Sequence, residues 1–309
     1  MTRGFWLGAA AYSIWGLFPI YWKLVAAVPA GQVLAHRIVW SCVALGVILA
    51  LRRRTSAPDH RVPGHRLTSR IVLLYLAAAI LIGVNWFLYV WAVGHDFVVE
   101  TSLGYYITPL VNVLLGVAIL RERLQTATWA AVGLAACGVA VLTWAYGAPP
   151  RIALGLAASF GTYGLVKKTA PLPPLEGLAL ETALLALPAL AYLVAAERAG
   201  SGAFLHETVA TDLFLIGGGL VTIVPLLLFA SAVRTVALST MGLLQFISPT
   251  IQLVLALALY HEPFGGVRLA GFAAVWVALA VFALHELRSR RPSQVAADGS
   301  LTRSAAGSR

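Results

Sequence analysis

The chain has 309 residues, of which 60% are hydrophobic and only 11% are charged, and its formal net charge is +10. Ordinary soluble domains carry about a quarter charged residues, so the composition excludes that class and indicates a protein of the lipid bilayer. The positive charge does not indicate nucleic-acid binding, because the 22 Lys and Arg residues cluster in loops and form no basic face interleaved with aromatic residues.

Apolar windows predict where the chain crosses the membrane. A bilayer-crossing helix needs ~20 mostly apolar residues. Windows of about this length occur at 4–25, 32–51, 71–93, 101–120, 127–146, 151–169, 176–195, 213–233, 240–260 and 267–286. We therefore expect an all-α integral membrane protein with ten transmembrane helices. The first window contains Pro19 and Lys23 and leads directly into the next, which favours an uncleaved helix over a signal peptide.

The distribution of basic residues predicts the orientation. With the N-terminus inside, seventeen Lys and Arg residues fall in cytoplasmic segments and four in external ones, while Arg37 lies inside the second span. This asymmetry follows the positive-inside rule, so both termini are predicted to be cytoplasmic in a multi-pass protein of the inner membrane. The segment 287–309 is rich in Ser, Ala, Gly and Arg, and we expect a disordered cytoplasmic tail there.

A phrase of sequence occurs twice, 140 residues apart. Tyr106-Ile-Thr-Pro109 is followed by Glu122, thirteen residues after the proline, and Phe246-Ile-Ser-Pro249 is followed by Glu262 at the same spacing. The two glutamates are expected to cap loops or to pair with basic neighbours; proton coupling is the alternative. Because five spans separate the copies, the second crosses the membrane in the opposite direction.

The repeat predicts two inverted five-helix halves, 4–146 and 151–286. Secondary transporters with this architecture place one shared site between their halves. The sequence contains no phosphate-cradling loop, so an ion or solute gradient is the expected energy source. It also contains no nucleophile elbow and no zinc-binding helix motif, so we expect neither an enzyme nor a bound metal or cofactor.

Two matching stripes of polar residues and prolines are expected to face the interior of the bundle. They are Tyr105, Pro109 and Asn112 in the fourth span and Gln245, Pro249 and Gln252 in the ninth. Each set lies on one face of its helix, at equivalent positions of the repeat. We interpret them as lining a central cavity, with the prolines as hinges. The alternative is that the amides join the helices by hydrogen bonds.

Charged residues inside the spans are costly and indicate function. Arg37 lies beside His36 in the second span, and its equivalent in the second half, 144 residues on, is Glu181. Inversion places the two on opposite sides of the membrane, so they are not expected to pair. For Arg37, a gate or anion contact and snorkelling to the interface both remain open. For Glu181 snorkelling is preferred, with gating or coupling as the alternative, and His36 and Glu181 are the candidate proton sites.

The remaining predicted solute contacts lie on spans that carry the repeat. Trp15, Trp86 and Tyr163 are expected to form aromatic walls, and Asn85 to face the solute. An aromatic cavity with a few amides suits a flat, partly apolar organic molecule and suits an inorganic ion poorly.

Several runs of sequence are distinctive as a set. They are Tyr12-Ser-Ile-Trp-Gly16, Ala35-His-Arg-Ile-Val-Trp-Ser41, Asn85-Trp86, Ser102 to Asn112, and Leu238 to Thr250. In these runs the chain resembles the RarD proteins of the EamA group of the drug/metabolite transporter superfamily, and the resemblance extends over about 4–286. It implies ten helices in two inverted halves around a central cavity. Related carriers export amino acids, drugs or other small metabolites, and the RarD name is associated with chloramphenicol sensitivity or resistance.

We therefore expect a permease of the inner membrane that exports a small organic metabolite or drug, amino-acid-like or chloramphenicol-like, by alternating access. The alternative is a membrane sensor or scaffold that binds a ligand in the same cavity without transporting it. The expected partners are the solute and the lipid bilayer, with no nucleic acid, and a homodimer is left open.

Overall fold

The computed structural model describes residues 3–55, 68–95, 97–259 and 266–288, and in these residues the chain forms α-helices and no β-strand. The helices are α1 (Arg3–Lys23), α2 (Ala30–Thr55), α3 (Ser69–Gly94), α4 (Val98–Ala118), α5 (Thr126–Tyr146), α6 (Arg151–Thr169), α7 (Pro174–Arg198), α8 (Val209–Val233), α9 (Leu238–Gln245), α10 (Ile247–Ala258) and α11 (Gly266–Arg288). The expected all-α class is confirmed for this part of the chain.

Seven helical segments of the described residues are long and apolar enough to cross a membrane. They lie in α2, α3, α4, α5, α7, α8 and the continuous stretch Leu238–Leu255. Of the other helices, α1 carries polar aromatic side chains such as Tyr12, α6 carries Lys167 and Lys168 near its end, and α11 contains the shorter apolar segment Ala273–Leu284. The chain is a multi-pass helical protein, and the count of ten spans stays a prediction.

The helix boundaries recur at the spacings of the sequence repeat. The starts of α3 and α8, of α4 and α9, and of α5 and α11 are each 140 residues apart. For α2 and α7 the spacing is 144 residues, and for α1 and α6 it is 148. The spacings seen in the sequence therefore also relate the secondary structure of the two halves.

Helices of one half pack mainly on helices of the other. α1 contacts α8 and α10, while the equivalent α6 contacts α3 and α4. Likewise α2 packs on α8 and α7 on α3, and α5 packs on α11. Each contact has a counterpart when the halves are exchanged, as a two-fold relation between them requires. The inverted arrangement and the limits 4–146 and 151–286 stay predictions, and the predicted tail beyond 288 lies outside the described residues.

The connections meet at two ends of the bundle. At one end the α1–α2 connection meets the α7–α8 connection, where the Gln32 side-chain amide donates to the Ser201 carbonyl at 2.6 Å. At the other end the α4–α5 connection (119–125) meets the start of α9, where the Leu238 N–H donates to Glu122 at 2.6 Å. We call the first end the cavity end and the second end the sealed end.

The predicted ninth span is divided at Phe246, between α9 and α10. The equivalent α4 runs through Tyr106 without a break. Phe246 is fully buried, its ring lies 6.5 Å from that of Tyr106, and both belong to a cluster of buried side chains that also contains Met241. The break at Phe246 therefore lies within the buried core of the bundle.

Candidate functional site

A cavity of about 170 Å³ lies between the two halves, lined by residues of α1, α2, α3, α4, α6, α8, α9 and α10. Its size is close to the ~150 Å³ of a cavity that holds one benzene ring. In α2, α3, α4 and α6 the lining residues lie at the middle of the helix or in the half nearer the cavity end. The cavity is therefore displaced toward that end, away from the sealed end.

Most of the predicted solute contacts line this one cavity. They are Trp15, Arg37, Asn85, Trp86, Tyr105, Gln245 and Gln252, and the predicted hinge Pro249 lies among them. The structure thus brings together side chains from both halves that the sequence placed up to 237 residues apart. Their role in binding a solute stays a prediction.

The other predicted site residues lie elsewhere. Asn112 is buried and its side-chain N–H donates to Gln245 Oε1 at 2.9 Å, which joins α4 to α9 across the halves. For this residue the contact is the helix-joining alternative considered above. Pro109 lies on the same helix and does not line the cavity, and His36 is buried with its ring 5.0 Å from that of Phe204.

The amides that line the cavity differ in how firmly they are held. Asn85 Nδ2 donates to the Leu156 carbonyl at 2.9 Å and to Ser159 Oγ at 3.0 Å, so this side chain ties α3 to α6. Gln252 Nε2 donates to the Trp15 carbonyl at 3.4 Å, beyond the usual range for such bonds. Gln252 therefore keeps more hydrogen-bonding capacity for a solute than Asn85 does.

Aromatic rings of α1 form a wall that the sequence reasoning only partly recognised. Trp15 was expected, but Tyr12 and Trp22 also line the cavity, as does Pro19. The Trp15 ring packs edge-on against Phe160 of α6 at 6.0 Å, and the buried Tyr12 hydroxyl has no hydrogen-bond partner among the described residues. The spacing of the four α1 residues marks one helical face, which is the signal that could have identified them.

Arg37 points into this wall, and no carboxylate among the described residues pairs with its cation. Its guanidinium carbon lies 4.4 Å from the ring centre of Trp86 and 5.3 Å from that of Trp22. Its Nε has no hydrogen-bond partner, and none of the ion pairs among the described residues includes it. Cation–π contacts contribute ~0.5–2 kcal/mol each, which does not offset a desolvation cost of several kcal/mol for an ion. The charge is held at the cavity rather than at the helix end, so snorkelling does not describe it.

Glu181, the equivalent of Arg37, is fully paired. Lys167 Nζ lies 2.7 Å from its Oε1, and the Tyr163 hydroxyl donates to its Oε2 at 3.1 Å. Both ion-pair partners are only 2–3% exposed, so Glu181 is buried in the bundle and the snorkelling interpretation is wrong for it. Tyr163, predicted as an aromatic wall, serves this pair instead of lining the cavity. The pairing of Lys167 with Glu181 was not predicted from the sequence.

At the sealed end Glu122 fastens one half to the other. Its carboxylate accepts from the N–H groups of Leu238 and Ser239, at 2.6 and 3.0 Å, and from the Ser239 hydroxyl at 2.7 Å. These are the free N–H groups at the start of α9, where a carboxylate is favoured. The expected capping role matches this geometry, and Glu262 lies outside the described residues.

Known proteins that are similar in sequence to this chain carry the names of transporters or of RarD proteins. A sequence profile of the EamA-like transporter family matches residues 2–144. The "Uncharacterized transporter YojE" of Bacillus subtilis is 43% identical over 93% of this chain and 95% of its own. A "Protein RarD" of Streptomyces exfoliatus is 44% identical over 94% of this chain and 91% of its own.

A solved protein structure shows the same fold at low identity. It superposes with a TM-score of 0.67 over 91% of this chain and 98% of its own, and the two sequences are 19% identical.

Proposed function

Since the chain belongs to the EamA-like transporter family, in its RarD group, we propose that it is a secondary transporter of the inner membrane that moves a small organic solute by alternating access. The observation that carries this proposal is the cavity between the two halves, with walls from eight helices and a displacement toward one end of the bundle. Transporters built from two related halves bind their solute at such an interface.

The orientation follows from the charge distribution. With both termini in the cytoplasm, the cavity end is external and the sealed end is cytoplasmic. The structure then corresponds to an outward-facing state. Loading from the cytoplasm requires the inverse state, in which the contacts of Glu122 with the start of α9 are broken and the helices at the cavity end come together. Export is the expected direction, and an inverted relation between 4–146 and 151–286 would supply the second state.

The cavity favours a small solute with a flat body. Aromatic rings from α1, α3 and α6 make up much of its wall, and amides from α3, α9 and α10 supply hydrogen bonds. Its volume is close to that of a cavity that holds one benzene ring, so amino-acid-like solutes of about that size fit better than large drugs.

The experiment compares cells that express the intact protein, Gln252→Leu or the control Leu220→Ala, whose side chain is exposed on α8. Culture medium is analysed by untargeted mass spectrometry, and chloramphenicol is added as one candidate solute. We expect a compound enriched outside with the intact protein and the control but not with Gln252→Leu at equal expression. Normal transport by Gln252→Leu would remove the cavity assignment. If inverted and right-side-out vesicles move no compound of the medium under imposed gradients, the transporter proposal fails.

A further inference from the structure

We propose that the solute is a small organic anion and that Arg37 is its counter-ion. This rests on the proposed function of the cavity and adds the charge and chemical class of what the cavity takes. The body of the solute is flat and apolar, about one ring in size, and its acidic group lies against the guanidinium.

The charge of the cavity wall is the first observation. Among the described residues that line the cavity, Arg37 is the single formally charged side chain, and no Asp or Glu is present. In a low-dielectric space, one fixed positive charge attracts anions and excludes cations. The wall is therefore selective for the sign of a solute's charge before any shape is considered.

Other cations inside the bundle show that the fold satisfies its charges elsewhere. Lys167 pairs with Glu181 at 2.7 Å. Lys168 donates to two backbone carbonyls at 3.2 and 2.5 Å, and Arg234 donates to the Leu172 carbonyl. Arg37 lies beside indole rings and pairs with no carboxylate in the described part of the chain, so we assign its counter-ion to the solute.

The repeat shows where that counter-ion belongs. Arg37 and Glu181 are equivalent at a spacing of 144 residues, and Lys167, the partner of Glu181, is equivalent to Pro19 at a spacing of 148. Pro19 carries no charge and lines the cavity. The position that holds a charged partner in the second half therefore borders empty space in the first.

The side chains around the guanidinium indicate the shape and polarity of the rest of the solute. Two indoles lie against the guanidinium, Tyr89 and Tyr105 line the same cavity, and Trp15 and Phe160 supply further flat surface there. A guanidinium presents parallel N–H donors that match a carboxylate. A molecule with one aromatic ring and one carboxylate satisfies both the charge and the walls.

The test is a binding measurement on the full-length protein in lipid nanodiscs. Phenylacetate, phenylacetamide and phenethylamine share one ring and differ in charge, and their binding is followed by the intrinsic tryptophan fluorescence and by thermal shift. We expect phenylacetate to bind at least about tenfold more tightly than the amide, and the amine not to bind. Arg37→Gln should abolish this preference while amide binding changes by less than about threefold, and Arg37→Lys should keep part of it. The control Arg151→Gln, at an exposed arginine outside the cavity, should behave as the intact protein.

Other binding results would overturn the proposal. Equal binding of the three compounds, tighter binding of the amine, or a preference that persists in Arg37→Gln would overturn the proposal and leave transport untouched. Binding of none of the three would also overturn it. In that case the comparison with Gln252→Leu, which does not depend on the charge of the solute, decides the transporter proposal separately.

Discussion

The two halves use equivalent positions of the repeat in opposite ways. In α6 and α7 the charged residue Glu181 is closed off by Lys167 and Tyr163, and nothing of the pair faces the cavity. In α1 and α2 the equivalent Arg37 faces open space that Pro19 and Trp15 also border. The repeat thus preserves the place of an ionised side chain, while its partner determines whether that side chain holds the bundle together or remains available to a ligand.

We expect the largest loss of stability from Lys167→Met, which breaks the buried ion pair between Lys167 and Glu181. It leaves Glu181 buried without its cation, and removal of one partner of a buried ion pair costs about 3–5 kcal/mol of unfolding free energy. The measurement is denaturant unfolding of the purified protein in micelles, followed by circular dichroism. The double variant Lys167→Met with Glu181→Met should recover much of the loss. A Lys167→Met protein as stable as the original would show that the pair contributes nothing.

A smaller loss is expected from Glu122→Gln, which weakens the sealed end. The amide keeps the shape but loses the charge that favours the N–H groups at the start of α9, and loss of such a cap costs about 0.5–2 kcal/mol. The same unfolding assay measures it, with Glu207→Gln, an exposed residue of the α7–α8 connection, as control. Equal stabilities of the two variants would contradict the capping role.

The smallest effect on stability should come from Arg37→Met, which removes the charged side chain that faces the cavity. Because no carboxylate of the described residues loses a partner, the unfolding free energy should change by less than about 1 kcal/mol, or rise, as the desolvation cost disappears. Thermal unfolding beside Lys167→Met checks this contrast. A loss as large as that of Lys167→Met would place Arg37 in the same structural class as Glu181.

Much of the helical framework could be predicted from the sequence. The apolar windows correspond to the helices of the structure because side-chain transfer into lipid depends on composition over about twenty residues, which one sequence displays directly. Seven of the nine predicted solute contacts lie around one cavity for a related reason. Polar and aromatic side chains inside apolar helices face the bundle interior, so their spacing predicts the face that they occupy.

The partners of these side chains could not be predicted in the same way. Lys167 stands beside Lys168 near the end of α6, and only the rotation of that helix decides that Lys167 meets Glu181. Asn112 and Gln252 occupy equivalent places in the repeat, yet Asn112 is used between helices and Gln252 lines the cavity. The break at Phe246 has no counterpart in α4 although the local phrases match, so tertiary packing rather than local sequence produces it.

The exchange of contacts between the halves has a consequence for biosynthesis. α1 packs on α8 and α5 packs on α11, so the first half reaches the bilayer long before its partners have been translated. During that interval Arg37 lies among lipids or waiting helices, and the surfaces that later form the cavity are uncovered. The two halves therefore reach their final packing together. Among the described helices α11 is translated last, and it completes the packing of α5, which belongs to the first half.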